Sequence, residues 1–165
     1  MKKIFFLFFV SICFLSKNYG QDWIRFNSVE GRFSVMFPSQ PTTQIDTSKN
    51  YPTYITNLFI SKTNTEIYAL GWVDYENSYN FDEQKELEAN RDNFVKGVSA
   101  TLVSTKNTTF NGYKAVEFSA ESSSYYWTSK VFMVGRRPYQ LVIGSSTGHV
   151  SGNENKFYSS FSIRN

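Results

Sequence analysis

A single histidine, His149, stands in the run Ser145-Ser146-Thr147-Gly148-His149-Val150-Ser151. An imidazole titrates near neutrality and can serve as general base for a serine hydroxyl, here Ser145, Ser146 or Ser151. The same position, in a loop just before a helix start, also suits an ordinary solvated side chain. The acids offer a second chemistry: Asp74 and Glu76, followed by Asp82, Glu83 and Glu86, would supply oxygens to Ca²⁺ or an acid–base pair. Acids at a strand end and in a first helical turn are equally the positions a helix dipole favours. With one histidine and one cysteine there is no nitrogen and sulfur set for zinc, copper or iron. Neither G-x-x-x-x-G-K-[ST] nor G-x-G-x-x-G occurs, so no phosphate cradle is encoded. No catalytic residue, metal ligand or cofactor is assigned on these grounds.

The remaining candidates are contact residues. Arg136 and Arg137, held by Pro138 between two strands, suit an anion contact or a charged turn that keeps a sheet end soluble. Tyr125, Tyr126 and Trp127 are consecutive, and side chains alternate along a strand, so at least one large ring faces away from the main core. Tyr125, Tyr126, Trp127, Arg136 and Arg137 are therefore the expected partner contact, of a kind that suits another envelope protein, a peptide or a glycan.

Compartment follows from the amino terminus. Lys2 and Lys3 precede an apolar run from Ile4 to Leu15, the layout of a secretory signal, and small Gly20 places the mature start at Gln21. The 13 residues between Lys3 and Lys17 reach about 20 Å as a helix, short of the roughly 30 Å hydrocarbon core, so no permanent span is expected. Residues 1–20 read as signal peptide and residues 21–165 as one exported domain, periplasmic or extracellular. A lipid anchor on Cys13 is the alternative, although Ile12 stands where that processing wants a small residue. Three of the 17 basic residues lie in the signal and none of the 14 acidic ones do. Removal therefore leaves a neutral domain without cysteine, which gives no electrostatic footprint for nucleic acid. Oligomeric state is not legible.

The elements that must position these residues follow in order. A hairpin is expected from Trp23–Phe26 and Arg32–Phe37, with Gly31 taking positive φ in the turn and Phe33, Val35 and Phe37 on one buried face. Ser39 to Pro52, rich in Thr, Ser, Asn and proline, reads as a long surface connection. Tyr54–Ile60 and Glu66–Tyr75 form a second strand pair, the later strand apolar on both faces and so expected deep in a sheet. Asn80 with Glu83 reads as a capping box opening a helix from Phe81 to Val98, its stripe Phe81, Leu87, Phe94, Val95 and Val98. Four strands in meander order come next, Leu102–Phe110, Tyr113–Glu121, Tyr125–Val134 and Tyr139–Ser145, the first pair joined by the hairpin signal Asn111-Gly112. Ser151 with Glu154 opens a short final helix.

This order is an α+β architecture, a mostly antiparallel twisted sheet of six to eight strands with one long and one short carboxy-terminal helix. With Gly31-Arg32-Phe33-Ser34-Val35-Met36-Phe37-Pro38, Asn111-Gly112-Tyr113-Lys114-Ala115, Tyr139-Gln140-Leu141-Val142 and Phe157-Tyr158-Ser159-Ser160-Phe161 attached, the chain resembles the PsbP-like group, which includes small exported proteins of the DcrB type. The resemblance implies a non-catalytic accessory or binding protein of the bacterial cell envelope. A small periplasmic hydrolase using carboxylates, and a surface lipoprotein anchored through Cys13, are the alternatives.

Overall fold

The computed structural model describes residues 22–164. The expected signal peptide, the Gln21 start and Cys13 lie outside them. Ten strands and two helices follow in the order β1 Ile24–Ser28, β2 Phe33–Phe37, β3 Thr42–Ser48, β4 Tyr54–Lys62, β5 Glu66–Tyr75, α1 Glu83–Gly97, β6 Thr101–Phe110, β7 Tyr113–Glu121, β8 Tyr126–Val134, β9 Arg137–Ser145, α2 Glu154–Ser160 and β10 Ser162–Ile163. The main sheet has seven strands in the order β3-β4-β5-β9-β8-β7-β6, and a second sheet has three, β1-β2-β10. Every pairing is antiparallel. The fold is α+β, with the expected meander intact.

One face of the main sheet carries the aromatic core. Phe59, Tyr68, Leu70, Trp72, Phe132, Tyr139, Leu141 and Ile143 meet Phe33, Val35 and Phe37 of the small sheet and Phe157 of α2. The alternation expected for β2 is what makes this possible, since its odd-numbered side chains all point down onto the large sheet. On the opposite face α1 lays Leu87 over Val116, Phe118, Val131 and Met133, and Phe94 and Val95 reach Ala120, Trp127 and Val142. Along β5 the two faces differ: Tyr68, Leu70 and Trp72 are buried, while Ile67, Ala69 and Val73 are half-buried because α1 sits over β7 and β8. Among the described residues, no helix is long and apolar enough to cross a membrane.

Several local expectations are corrected. The stretch Ser39 to Pro52 is not all loop: it holds β3, paired with β4 from Thr42 opposite Ile60 to Ser48 opposite Tyr54. As an edge strand exposed on both faces it needs no apolar alternation, and its backbone pairing alone forms it. Helix α1 begins two residues later than expected, and its cap is Asp82, whose carboxylate accepts from the Lys85 amide at 2.9 Å. In the first hairpin the positive φ falls on Arg32, at 50°. Gly31 is required for another reason: a Cβ there would sit 2.5 Å from the Phe33 ring and 2.8 Å from the Trp72 ring. The Asn111-Gly112 turn has both residues at positive φ, 50° and 83°, as a two-residue hairpin of this type demands. The turn after β8 contracts to Gly135-Arg136, so Arg137 and Pro138 belong to β9, opposite Val134 and Met133. Ser151 does not cap α2. Its amide and hydroxyl both donate to the buried Glu66 carboxylate, at 2.7 and 2.9 Å, and tie the last loop to β5.

Candidate functional site

The groups with chemical potential are held apart. His149 is exposed, and the three serines near it have other partners. Ser145 shares a hydrogen bond with Thr147 at 2.9 Å, Ser146 donates to the Thr65 carbonyl at 3.1 Å, and Ser151 donates to Glu66. None of these three serines is paired with the His149 ring. The acids are likewise each committed elsewhere: Asp74 to Arg137, Glu76 to Thr53 and Ser78, Asp82 to the helix cap, Glu83 to Lys114 at 3.6 Å, and Glu86 to Tyr75 and Asn90. Among the described residues, no three His, Cys, Asp or Glu side chains are grouped as a metal site would require.

Asp74 and Arg137, read separately in the sequence, prove to be one unit. The Arg137 Nε and Nη2 donate to the two Asp74 oxygens at 2.6 and 3.0 Å, the bidentate geometry a guanidinium favours. Trp72 Nε1 donates to the same carboxylate at 3.1 Å, the guanidinium lies 5.6 Å from the Trp72 ring centre, and Nη1 donates to the Glu30 carbonyl at 2.9 Å. Arg137 thus fastens the small sheet's hairpin turn to the main sheet.

Arg136, its neighbour, points to a different place. It donates to the Tyr79 carbonyl and lies 5.3 Å over the Phe81 ring. There it joins a corner of aromatic rings. Strand register sets Tyr54 opposite Tyr75, ring centres 5.9 Å apart. Tyr79 and Phe81, in the link to α1, pack on Tyr75 at 5.0 and 5.6 Å, and Tyr51, 74% exposed, meets Tyr79 edge-on at 6.1 Å. Burial first, then hydrogen bonding and charge from Glu86, push the Tyr75 hydroxyl far above the ordinary phenol range. Burial, with the charges of Glu86 and Tyr51, raises Tyr79 as well. Hydrogen bonds from Thr53 and Ser78 hold Glu76, at the rim, below the ordinary carboxylate range. The result is a surface of phenol rings with one arginine inside it and a carboxylate beside it.

The run Tyr125 to Trp127 is divided between the two faces of β8. Trp127 is buried against Phe94 of α1, at 5.5 Å, with Tyr125 packed on it at a tilt, ring centres 5.1 Å apart. Tyr126 faces the other way, into a polar cleft beside α2. Of the five expected contact residues, the structure brings only Arg136 into the aromatic corner. The tyrosines that surround it are scattered over the sequence, and only the register of β4 on β5 gathers them.

No protein-family model matches the chain, and no curated protein matches it. Among solved structures it is similar to the solution structure of cyanobacterial PsbP (CyanoP) from Synechocystis sp. PCC 6803, with a TM-score of 0.59 over 87% of this chain and 93% of that one, at 8% identity. The fold is PsbP-like. At that identity the likeness speaks for architecture, and a fold by itself carries no activity.

Proposed function

We propose that this PsbP-like chain is an exported, non-enzymatic accessory or binding protein of the bacterial cell envelope, meeting another envelope protein through the corner of Tyr51, Tyr54, Tyr79, Phe81 and Arg136. The observation that carries the reading is the composition of that corner. Tyrosine and arginine are the residues that supply most binding energy at protein interfaces, because they bury large area at low entropic cost and keep a polar tip. Tyr51 stands 74% exposed at its outer edge, which a purely structural cluster does not need. Dispersal of the carboxylates and of the His149 serines argues in the same direction.

A photo-crosslinking residue at Tyr51 in intact cells tests the reading. It should capture one defined envelope protein, and Tyr79→Ala with Arg136→Ala should abolish the capture, while the same probe at Val29, which is 91% exposed in the β1–β2 turn, should capture none. Equal capture from both positions would remove the corner from the proposal. Turnover in a broad hydrolase screen, lost on Asp74→Asn or His149→Ala, would replace it with the hydrolase. Export is read by mass spectrometry of the mature amino terminus: Gln21, free or cyclised, supports a cleaved signal, and a diacylated Cys13 supports the lipoprotein.

A further inference from the structure

Where the small sheet stops, the core face of the main sheet changes character. Along β7 and β8 the pair Ala115 and Phe132 is buried in the aromatic core, yet on β6, β7 and β8 the next two same-face rungs carry only charged and hydroxyl side chains. Lys106, Glu117 and Lys130 stand across β6, β7 and β8 in one rung; Ser104, Ser119 and Thr128 form the next; Glu121 and Tyr126 the one after. Helix α2 faces these rungs with Glu154 and Tyr158, and a cleft of about 250 Å³ lies between. A polar patch on the face that otherwise carries the core serves no packing purpose that apolar residues would not serve better.

The cleft's charges cancel internally. Glu117 accepts from Lys106 at 3.0 Å and from Lys130, whose ammonium also lies 5.1 Å from the Tyr158 ring centre, and Glu154 lines the cleft as a second carboxylate. The two lysines and two glutamates that line the site therefore sum to zero charge, which gives no net attraction for an anion or a cation. Its hydroxyls, however, are not exhausted. Ser104 and Ser119 share one hydrogen bond at 2.7 Å, and Thr128 and Tyr158 share one at 3.0 Å. Each pair owns two protons and uses one between its members, so each keeps a free donor and several acceptor lone pairs. Tyr126 adds a half-buried aromatic ring at the cleft.

From this geometry we infer that the cleft binds a small, uncharged, polyhydroxylated ligand of monosaccharide size, independently of the aromatic corner. Each ligand hydroxyl is both donor and acceptor and so matches the spare capacity of the two hydroxyl pairs. Its apolar C–H face has the Tyr126 ring to lie on. The volume falls below the roughly 300–1,000 Å³ of sites for drug-sized molecules, which limits the occupant to about one ring.

The test is an NMR titration of the ¹⁵N-labelled mature protein with glucose, galactose, N-acetylglucosamine and myo-inositol, with phosphate, acetate and lysine as charged probes. A saturable shift of the Thr128, Ser119 and Tyr126 amides is expected with at least one of the uncharged probes and with none of the charged ones. Thr128→Val and Tyr126→Ala should each weaken that binding about fivefold or more, the scale of one or two lost hydrogen bonds or a lost stacking face, and Tyr126→Phe should retain it. Tyr126 lies at the end of β8, so its variants remain informative even if Thr128→Val fails to fold. Saturation by phosphate or lysine instead, absence of any saturable shift, or shifts indifferent to Tyr126→Ala would each overturn the inference. Crosslinking from Tyr51 reads the other surface and is unaffected by these outcomes.

Discussion

Asp74 and Arg137 illustrate how a side chain that looks available for chemistry can be consumed by architecture. The carboxylate is satisfied by two guanidinium donors and the Trp72 indole, and the guanidinium by the Glu30 carbonyl as well. Arg137→Ala should therefore lower stability by about 1.5–3 kcal/mol, the range for hydrogen bonds to charged groups, in urea unfolding followed by tryptophan fluorescence. A loss within about 0.3 kcal/mol, the level of an ordinary surface pair, would show the clamp to be idle. Glu117 makes a pH-dependent contribution. Burial opposes its ionisation, but hydrogen bonds and charge from Lys130 and Lys106 outweigh that and hold its pKa below the usual value. A carboxylate with a depressed folded pKa stabilises the native state above its unfolded pKa of about 4.3 and loses that contribution as pH falls through the folded value. Glu117→Gln should accordingly flatten the fall of the urea midpoint between about pH 5 and pH 3, with little effect on its slope above pH 6.

Elements were legible in the sequence wherever side-chain patterning creates them. Strands β7 to β9, the β4–β5 pair and the long helix each carry a period of two or of about 3.6, and β6, itself polar and exposed, is marked by the Asn111-Gly112 hairpin whose residues tolerate positive φ. Elements made by backbone pairing alone were not. Strand β3 is Thr-Thr-Gln-Ile-Asp-Thr-Ser, exposed along nearly its whole length, and pairs only because β4 offers an edge. Helix starts are similarly ambiguous when several acids and amides stand together, as Asn80, Asp82 and Glu83 do. The structure separates them: Asp82 accepts from the Lys85 amide, so Asp82→Ala should cost about 1 kcal/mol, the usual value of a lost cap, and Asn80→Ala should leave the urea midpoint unchanged. The reverse ranking would return the cap to Asn80. The aromatic corner was hidden for the same reason as β3, since Tyr51, Tyr54, Tyr75, Tyr79, Phe81 and Arg136 span 51–136 and meet only through strand register and the Gly135-Arg136 turn. The density of tyrosine between 51 and 79 was the one signal that would have flagged it.

At the scale of the whole molecule, the two sheets are locked by the carboxy-terminal segment. Ser160 accepts from the Met36 amide at 2.8 Å, β10 pairs with β2, the Arg164 amide donates to the Arg32 carbonyl at 2.7 Å, and Asn111 donates to the Phe161 carbonyl at 3.1 Å. Phe161 sits where everything meets, stacked on Phe33 of the small sheet at 5.9 Å and close to Phe110 of β6, Phe132 of β8 and Tyr139 of β9. Phe161→Ala should therefore behave as a core truncation and cost about 3–5 kcal/mol. Removal of residues 157–165 takes away Phe157, Tyr158, Phe161 and β10 together, and with them the partner strand that gives β2 its second edge. A loss of that size exceeds what a domain of this length can spare when total stability is about 5–15 kcal/mol. The truncated protein should show weak near-ultraviolet circular dichroism, bind 8-anilinonaphthalene-1-sulfonate and lose its cooperative urea transition, because the aromatic core would lie open to water. A truncated chain that still unfolds in one sharp step, with its near-ultraviolet signal intact, would show that the small sheet and the main sheet hold together without their terminal lock.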